Sequence, residues 1–175
     1  QGGEAKNFDA LGPWDWNSLG HYDRRELRGA GLLAAWLNWY DARWDNTRLS
    51  LVKNGGKVEL RHFISDLGSV LGVAPKGLGG KNGNKPNDYP WFCTARTVKN
   101  GQSVFSIPNY QTIEDNTSFY KMNRDDARWM ARQLAQFTPE QLLQALVGSG
   151  YSSAEARMFQ EKLISRRDQM VRDLE

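Results

Sequence analysis

Four polar residues flank a predicted β-hairpin, and their types and spacing could bind a metal ion and move a proton. Asp41, Arg43 and Asn46 precede the hairpin, and Asp66 follows it. Because a hairpin brings its two ends together, Asn46 and Asp66 are expected to lie close in space. Amide and carboxylate oxygens suit Mg²⁺ that is bound to phosphates. Asp41 could accept the proton of a substrate hydroxyl, and Arg43 could neutralise charge on a transferring phosphoryl group.

Periodicity and turn residues predict the elements that position this set. Apolar residues at helical spacing predict a helix over about 24–39, with Asp23 as its N-cap. Strands are predicted at 49–52 and 58–64, because Asn-Gly-Gly at 54–56 is a hairpin turn signal and the second strand alternates apolar and polar residues. The loop that carries three of the four candidates therefore lies between a helix and a hairpin.

Three more helices are predicted in the C-terminal third. Thr138 precedes a proline at the first helical position, and Ser152 has Glu155 three residues later, as in a capping box. The helices are expected over about 123–136, 139–148 and 152–174, the first of them capped by Asn123. The fold is thus predicted to be mainly α with one small β-hairpin.

Two segments outside these elements complete the predicted domain organisation. Residues 1–22 are rich in Gly, Pro, Asn and Asp and are predicted to be irregular, ahead of a helical domain over 23–175. Within that domain, residues 73–87 are rich in Gly, Lys and Asn. Such a composition cannot pack a core, so this segment is predicted to be a mobile loop.

Composition and charge exclude several classes of protein. Lys and Arg number 23 against 20 Asp and Glu, and the net charge of +3 is too small to indicate nucleic-acid binding. One cysteine and two histidines exclude an internal disulfide framework and a zinc finger. No apolar stretch is long enough to span a bilayer, and residues 1–4 lack the basic start and apolar run of a signal peptide.

Tryptophan is the unusual component of the composition. The chain has seven tryptophans, and five of them lie before residue 45. Trp14 and Trp16 are expected to pin the N-terminal segment to the body. Trp36, Trp39 and Trp44 lie near the candidate loop and could pack in the core or line a groove for a ligand or partner.

The order of the candidate residues resembles the catalytic segment of the protein-kinase-like superfamily. Asp41 and Asn46 have the D-x4-N spacing of the kinase catalytic loop. Arg43 stands where protein kinases usually carry a lysine that touches phosphate, and Asp-Leu-Gly at 66–68 stands in the place of D-F-G. The resemblance implies a C-lobe-like fold, with Asp41 as catalytic base and with Asn46 and Asp66 holding Mg²⁺ and ATP.

Longer stretches are similar to a group of uncharacterised exported bacterial proteins with a kinase-like core. The similarity is carried by residues 24–29, 35–38 and 61–68, and it implies an exported or periplasmic location. Trp39 takes the place of the catalytic-loop histidine. Neither a Gly-rich loop nor a strand lysine paired with a helix glutamate can be placed upstream, so we expect the N-lobe to be missing or on another chain.

Two functions are consistent with the sequence. The first is a kinase-like lobe for Mg²⁺- and ATP-dependent phosphoryl transfer, incomplete in this chain. The second is a non-catalytic subunit that keeps the shape of a kinase C-lobe and binds another protein through a tryptophan-rich N-terminal surface. In the second case Asp41, Asn46 and Asp66 could be an ordinary helix-end residue, turn residue and strand-end cap.

Overall fold

The structure is a computed structural model that describes residues 8–67, 70–71, 95–99, 102–106 and 117–175. Its elements in these ranges are β1 (Phe8–Gly12), α1 (Arg25–Leu37), β2 (Thr47–Asn54), β3 (Lys57–Ile64), β4 (Ala95–Lys99), β5 (Gln102–Ser106), α2 (Thr117–Tyr120), α3 (Arg124–Leu134), α4 (Pro139–Gly148) and α5 (Ser153–Leu174). Short 3₁₀ turns, His21–Asp23 and Trp44–Asn46, lie before and after α1. Helices predominate, as predicted. The predicted loop at 73–87 and Gly68 of the Asp-Leu-Gly motif lie outside the described residues.

Strand β1 lies where an irregular segment is predicted. It pairs antiparallel with β2, and β2 pairs antiparallel with β3, so the predicted single hairpin is part of a three-stranded sheet with β2 in the centre. A separate hairpin is formed by β4 and β5. The β1 sequence is short and has no β-branched residue, so it gives little local signal for a strand. Its extended conformation depends on pairing with the edge of β2.

The β2–β3 hairpin is found where it is predicted, with longer strands. Gly55 and Gly56 have φ values of 55° and 81°, and a two-residue hairpin turn requires such left-handed positions. Thr47, the first residue of β2, pairs with Ile64, the last residue of β3. The residues just before β2 are therefore brought beside those just after β3.

Helix α1 has the predicted position, but its N-cap differs. Asp23 belongs to the 3₁₀ turn, and the extended N-cap residue is Arg24, which makes no side-chain cap bond, so the prediction of Asp23 as cap is wrong. At the other end, Asn38 has a φ of 51°, in the left-handed region that asparagine tolerates. The helix consequently ends at Leu37, before the predicted residue 39.

The C-terminal helices confirm the predictions made from their caps. The side chains of three N-cap residues accept backbone N–H groups three residues later, and each bond is reciprocated: Asn123 with Asp126, Thr138 with Gln141, and Ser152 with Glu155. Each capping box satisfies two backbone N–H groups at a helix start. None of the helices in the described part of the chain has the length and apolar character that crossing a membrane would require.

Helix α1 is the centre of the packing, because it contributes to two apolar clusters. Leu32, Ala35 and Trp36 pack with residues of α3, α4 and α5. Leu27, Ala30 and Ala34 belong to a second cluster, with Trp16, Trp39 and Phe119. An ion pair also ties α1 to α3, since Arg28 Nε lies 2.7 Å from Oδ2 of Asp126. The loop that leaves α1 therefore starts from a well-anchored helix end.

Candidate functional site

The loop after α1 carries three of the four candidate residues and is fixed at both ends. The Trp39 N–H donates to a carbonyl in the last turn of α1 at 2.8 Å, and the side chains of Trp39 and Ala42 are buried. At the other end, the Asn46 N–H donates to the Arg43 carbonyl at 3.1 Å and closes the 3₁₀ turn. The loop conformation is thus set by buried side chains and backbone bonds.

Asp41 and Asn46, predicted to act together, are in direct contact. The Asn46 Nδ2 donates to the backbone carbonyl of Asp41 at 2.8 Å and to Oδ2 of its carboxylate at 3.0 Å. Asn46 is 7% exposed, and the Asp41 side chain is 23% exposed. Since the amide nitrogen is used as the donor, the amide oxygen of Asn46 is the atom that a cation would use.

Arg43 is paired with the carboxylate that is predicted to be a base. Its Nε lies 2.7 Å from Asp41 Oδ1, and a second guanidinium nitrogen donates to Oδ2 at 3.5 Å. The same Nε lies 3.4 Å from Oδ1 of Asp45. One guanidinium therefore bridges two carboxylates, and substrate phosphate would have to compete with them for Arg43.

Asp45 is a member of this cluster that the sequence analysis missed. Its carboxylate side chain is 44% exposed and shares the Arg43 guanidinium with Asp41. The alternation Asp-x-Arg-x-Asp at 41–45 is a signal for such a cluster. The D-x4-N pattern does not identify Asp45, because position 45 is one of its four unspecified positions.

Asp66 follows the end of β3, beside the loop. The Ser65 N–H donates to the Asn46 carbonyl at 2.8 Å, which extends the pairing of β2 and β3 by one step. Asp66 is the next residue and is exposed. The segments that carry Asn46 and Asp66 are thus hydrogen-bonded neighbours, as the hairpin argument predicts.

The donors present fit Mg²⁺ better than a transition metal. Among the residues that the structure describes, no group of three or more His, Cys, Asp or Glu side chains could hold a metal ion. Mg²⁺ commonly keeps several waters and takes only one or two carboxylates together with substrate phosphates. Asn46 and Asp66 could supply such a partial set of oxygen ligands.

Thr47 connects the site to the N-terminal segment. Thr47 is fully buried, and its hydroxyl accepts the Trp14 N–H at 2.9 Å. The hydroxyl oxygen lies 2.8 Å from the Trp14 carbonyl and 2.5 Å from the Trp44 carbonyl, either of which can accept its one proton. Thr47 directly follows Asn46, so residues near the N-terminus help to hold the predicted metal ligand. Sequence reasoning missed this contact because it joins residues distant along the chain.

The tryptophans near the loop serve mainly as core. Trp16, Trp36 and Trp39 are 1%, 3% and 2% exposed, and only Trp44, at 42%, is well exposed among the described tryptophans before residue 45. The Trp36 Nε1 donates to the Leu163 carbonyl at 2.8 Å. The expected tryptophan-rich partner surface is therefore absent at these three positions, because the rings are buried by this chain's own helices.

An apolar cavity of about 780 Å³ lies next to the segment after Asp66. Leu67 and Val70 line it together with Trp36, Phe137, Leu146 and Leu163. Leu67 stands where the phenylalanine of D-F-G would be, and it faces this cavity with a side chain that is 47% exposed. The segment after Asp66 thus lies beside the cavity between the helices.

Comparison with known proteins found no relative. No family model matches the sequence, and neither a curated protein nor a solved structure matches the chain. The likeness to the kinase-like superfamily therefore stays a prediction that rests on the residues themselves. The function has to be argued from the arrangement of Asp41, Arg43, Asn46 and Asp66.

Proposed function

We propose that this chain is a kinase-like lobe that binds a Mg²⁺–nucleotide complex for phosphoryl transfer. The observation that supports the proposal is the pair of hydrogen bonds from the Asn46 amide to Asp41, at 2.8 and 3.0 Å. These bonds join the predicted base to a predicted metal ligand within one loop. The Ser65–Asn46 backbone bond brings in the segment that carries Asp66.

Each residue has a separate role in the proposed reaction. Asn46 and Asp66 would hold Mg²⁺, which neutralises charge on the transferring group when it is bound. Asp41 would orient the substrate hydroxyl and accept its proton. Arg43 would bind an oxygen of the transferring phosphoryl group, for which its guanidinium is suited by its planar array of donors.

The proposed lobe needs a second component to enclose the nucleotide. A kinase covers the phosphates with a Gly-rich loop and holds them with a strand lysine, and neither can be placed in this sequence. We therefore propose that another chain or another segment supplies this part. Bound alone, the nucleotide would meet only one face of its site, so weak affinity is expected.

A second candidate function is that of a protein-interaction module. Strand β3 is at the edge of the described sheet, and Val58, Leu60 and Phe63 are 61%, 53% and 42% exposed. Exposed apolar side chains on an edge strand are typical of a surface that pairs with another protein. This function does not need Asp41 or Asp66.

Calorimetric titration with Mg²⁺–ATP, at concentrations high enough to detect weak binding, tests the proposed function. Wild type is expected to bind, Asp66→Ala and Asn46→Ala are expected to lose binding, and the control Asp173→Ala is expected to retain it. Asp173 is exposed on α5 and lies outside the candidate loop. Absence of binding heat from the wild type, or unchanged binding by Asp66→Ala, would contradict the proposal and favour the interaction module.

A further inference from the structure

The chain's two histidines meet on the surface, against one tryptophan. His21, in the 3₁₀ turn before α1, and His62, on β3, have ring centroids 5.3 Å apart. The Trp14 ring lies 5.1 Å from His21 and 4.8 Å from His62, and both contacts are edge-to-face. The three rings form a cluster that joins the N-terminal segment, the turn before α1 and the sheet.

Trp14 is the point at which the N-terminal segment is fastened. Its backbone N–H donates to the Thr47 hydroxyl at 2.9 Å, its carbonyl lies 2.8 Å from the same hydroxyl oxygen, and its indole Nε1 donates to the Phe63 carbonyl at 3.4 Å. Two residues later, Trp16 is buried with Trp39 in the core. The two histidines cover Trp14 on the side where the segment meets β3.

The surroundings of His62 disfavour its protonation. Partial burial is the main cause that lowers the pKa of His62, and the positive charges of His21 and Arg24 lower it further. On the sheet, the residue paired with His62 is the apolar Leu49. A proton on His62 would therefore add positive charge where the surroundings already disfavour it, because like charges at this separation repel.

The carboxylates of the neighbouring segments are engaged elsewhere. Asp15, next to Trp14, accepts the Asn17 N–H at 2.8 Å. Asp23, at the end of the 3₁₀ turn, lies 3.6 Å from the Lys121 ammonium. Among the described residues, neither carboxylate forms an ion pair with His21 or His62.

We propose that His21, His62 and Trp14 form an acid-sensitive latch that holds the N-terminal segment against β3 and the candidate loop. At neutral pH the two imidazole rings pack on Trp14 and keep its backbone N–H bonded to Thr47. When the pH falls and His62 takes up a proton, its charge is repelled by the positive groups beside it and is set against the Trp14 ring, and the contact opens. Because Thr47 adjoins Asn46, opening loosens the loop that carries the candidate site. The latch does not depend on the proposed phosphoryl-transfer function.

Hydrogen exchange of the Trp14 amide tests the latch, because this N–H is bonded to Thr47. The measurement compares pH 7.5 with pH 5.5, corrected for the intrinsic pH dependence of exchange. In the wild type we expect protection of Trp14 to fall about tenfold at the lower pH, while amides of α5 keep their protection. His62→Phe keeps a ring without a titrating nitrogen and is expected to abolish this fall.

Two results would overturn the latch: wild-type Trp14 protection that does not change between the two pH values, or the same fall in His62→Phe. If the His62→Phe variant does not fold, a second measurement still tests the latch. In the wild type, NMR titration should show His62 taking up its proton below the ordinary histidine pKa of 6.5, with the Trp14 indole N–H signal shifting over the same pH range. A Trp14 signal that does not change as His62 titrates would equally reject the latch.

Discussion

The side-chain amide of Asn46 donates to both the carboxylate and the backbone carbonyl of Asp41, at 3.0 and 2.8 Å. This pair closes the loop between α1 and β2 and leaves Asn46 almost completely buried. The same contact orients a predicted metal ligand and a predicted base, so its structural and functional contributions can be separated by mutation.

Asn46→Ala is expected to lower the free energy of unfolding by about 1–3 kcal/mol, because a buried hydrogen-bonding group is lost and the Asp41 acceptors lose their partner. Urea unfolding followed by circular dichroism measures this change. Gln144→Ala, at an exposed position on α4, is the matched control and should stay within about 0.5 kcal/mol of the wild type. Equal stability of the two variants would show that the Asn46–Asp41 contact does not stabilise the loop.

Asp126→Ala is expected to be the most destabilising exchange of a charged residue in the described helices. The Asp126 side chain is 3% exposed, pairs with Arg28 at 2.7 Å and accepts the Asn123 N–H at 3.0 Å. Removing one partner of a buried ion pair costs about 3–5 kcal/mol, which chemical denaturation can measure.

Asp125→Ala is the control for that exchange. The Asp125 side chain is 88% exposed and lies 3.4 Å from Arg128, so its removal should cost about 0–1 kcal/mol. Similar losses for the Asp125 and Asp126 variants would mean that burial does not determine the strength of the α1–α3 ion pair.

Gly31→Ala is expected to destabilise the protein, although alanine favours helices. A Cβ at Gly31 would lie 3.1 Å from Cγ of Phe119, and forcing an extra carbon into a packed core costs about 1–3 kcal/mol. Gly148→Ala is the control, because a Cβ there has no atom within 4 Å. It should stabilise α4 by about 0.5–1 kcal/mol. Thermal unfolding should therefore shift the two variants in opposite directions, and a shift in the same direction would contradict close packing at Gly31.

Glu155 is expected to stabilise α5 in a pH-dependent way. Hydrogen bonds from the side chain and the backbone of Ser152 lower the pKa of Glu155 below its ordinary value of 4.5. Because the folded state favours the charged carboxylate, its stabilisation is complete above that value and is lost as the pH falls through the lowered pKa. Thermal unfolding of wild type and Glu155→Gln should differ at pH 7 and converge as the pH approaches 3. A difference that persists unchanged at pH 3 would rule out this ionisation as the cause.

Much of the helical structure could be predicted because its signals are local. Thr138 and Ser152 bond to N–H groups three residues away, so the caps can be recognised in a short stretch of sequence. The Asn54-Gly55-Gly56 turn is local for the same reason, since glycine reaches left-handed φ values without steric cost. Because this turn pairs β2 with β3, it also allowed the proximity of the segments that carry Asn46 and Asp66 to be predicted.

Local signals were insufficient where a conformation depends on a distant partner. Strand β1 forms because it pairs with the edge of β2. Asp23 does not cap α1, because it lies inside the 3₁₀ turn before that helix. Asp45 enters the site only through the guanidinium of Arg43. None of these results can be obtained from periodicity, because periodicity reports which face of an element is apolar and not what packs against it.

The four candidate residues Asp41, Arg43, Asn46 and Asp66 show the same difference between local signals and long-range contacts. The sequence by itself determined their order, the hairpin between them and the chemistry that their side chains can perform. Only the tertiary structure decided that Arg43 is paired with Asp41, that three tryptophans are buried, and that the two histidines meet against Trp14. These outcomes depend on long-range packing, in which side chains far apart in the chain compete for the same space and the same partners.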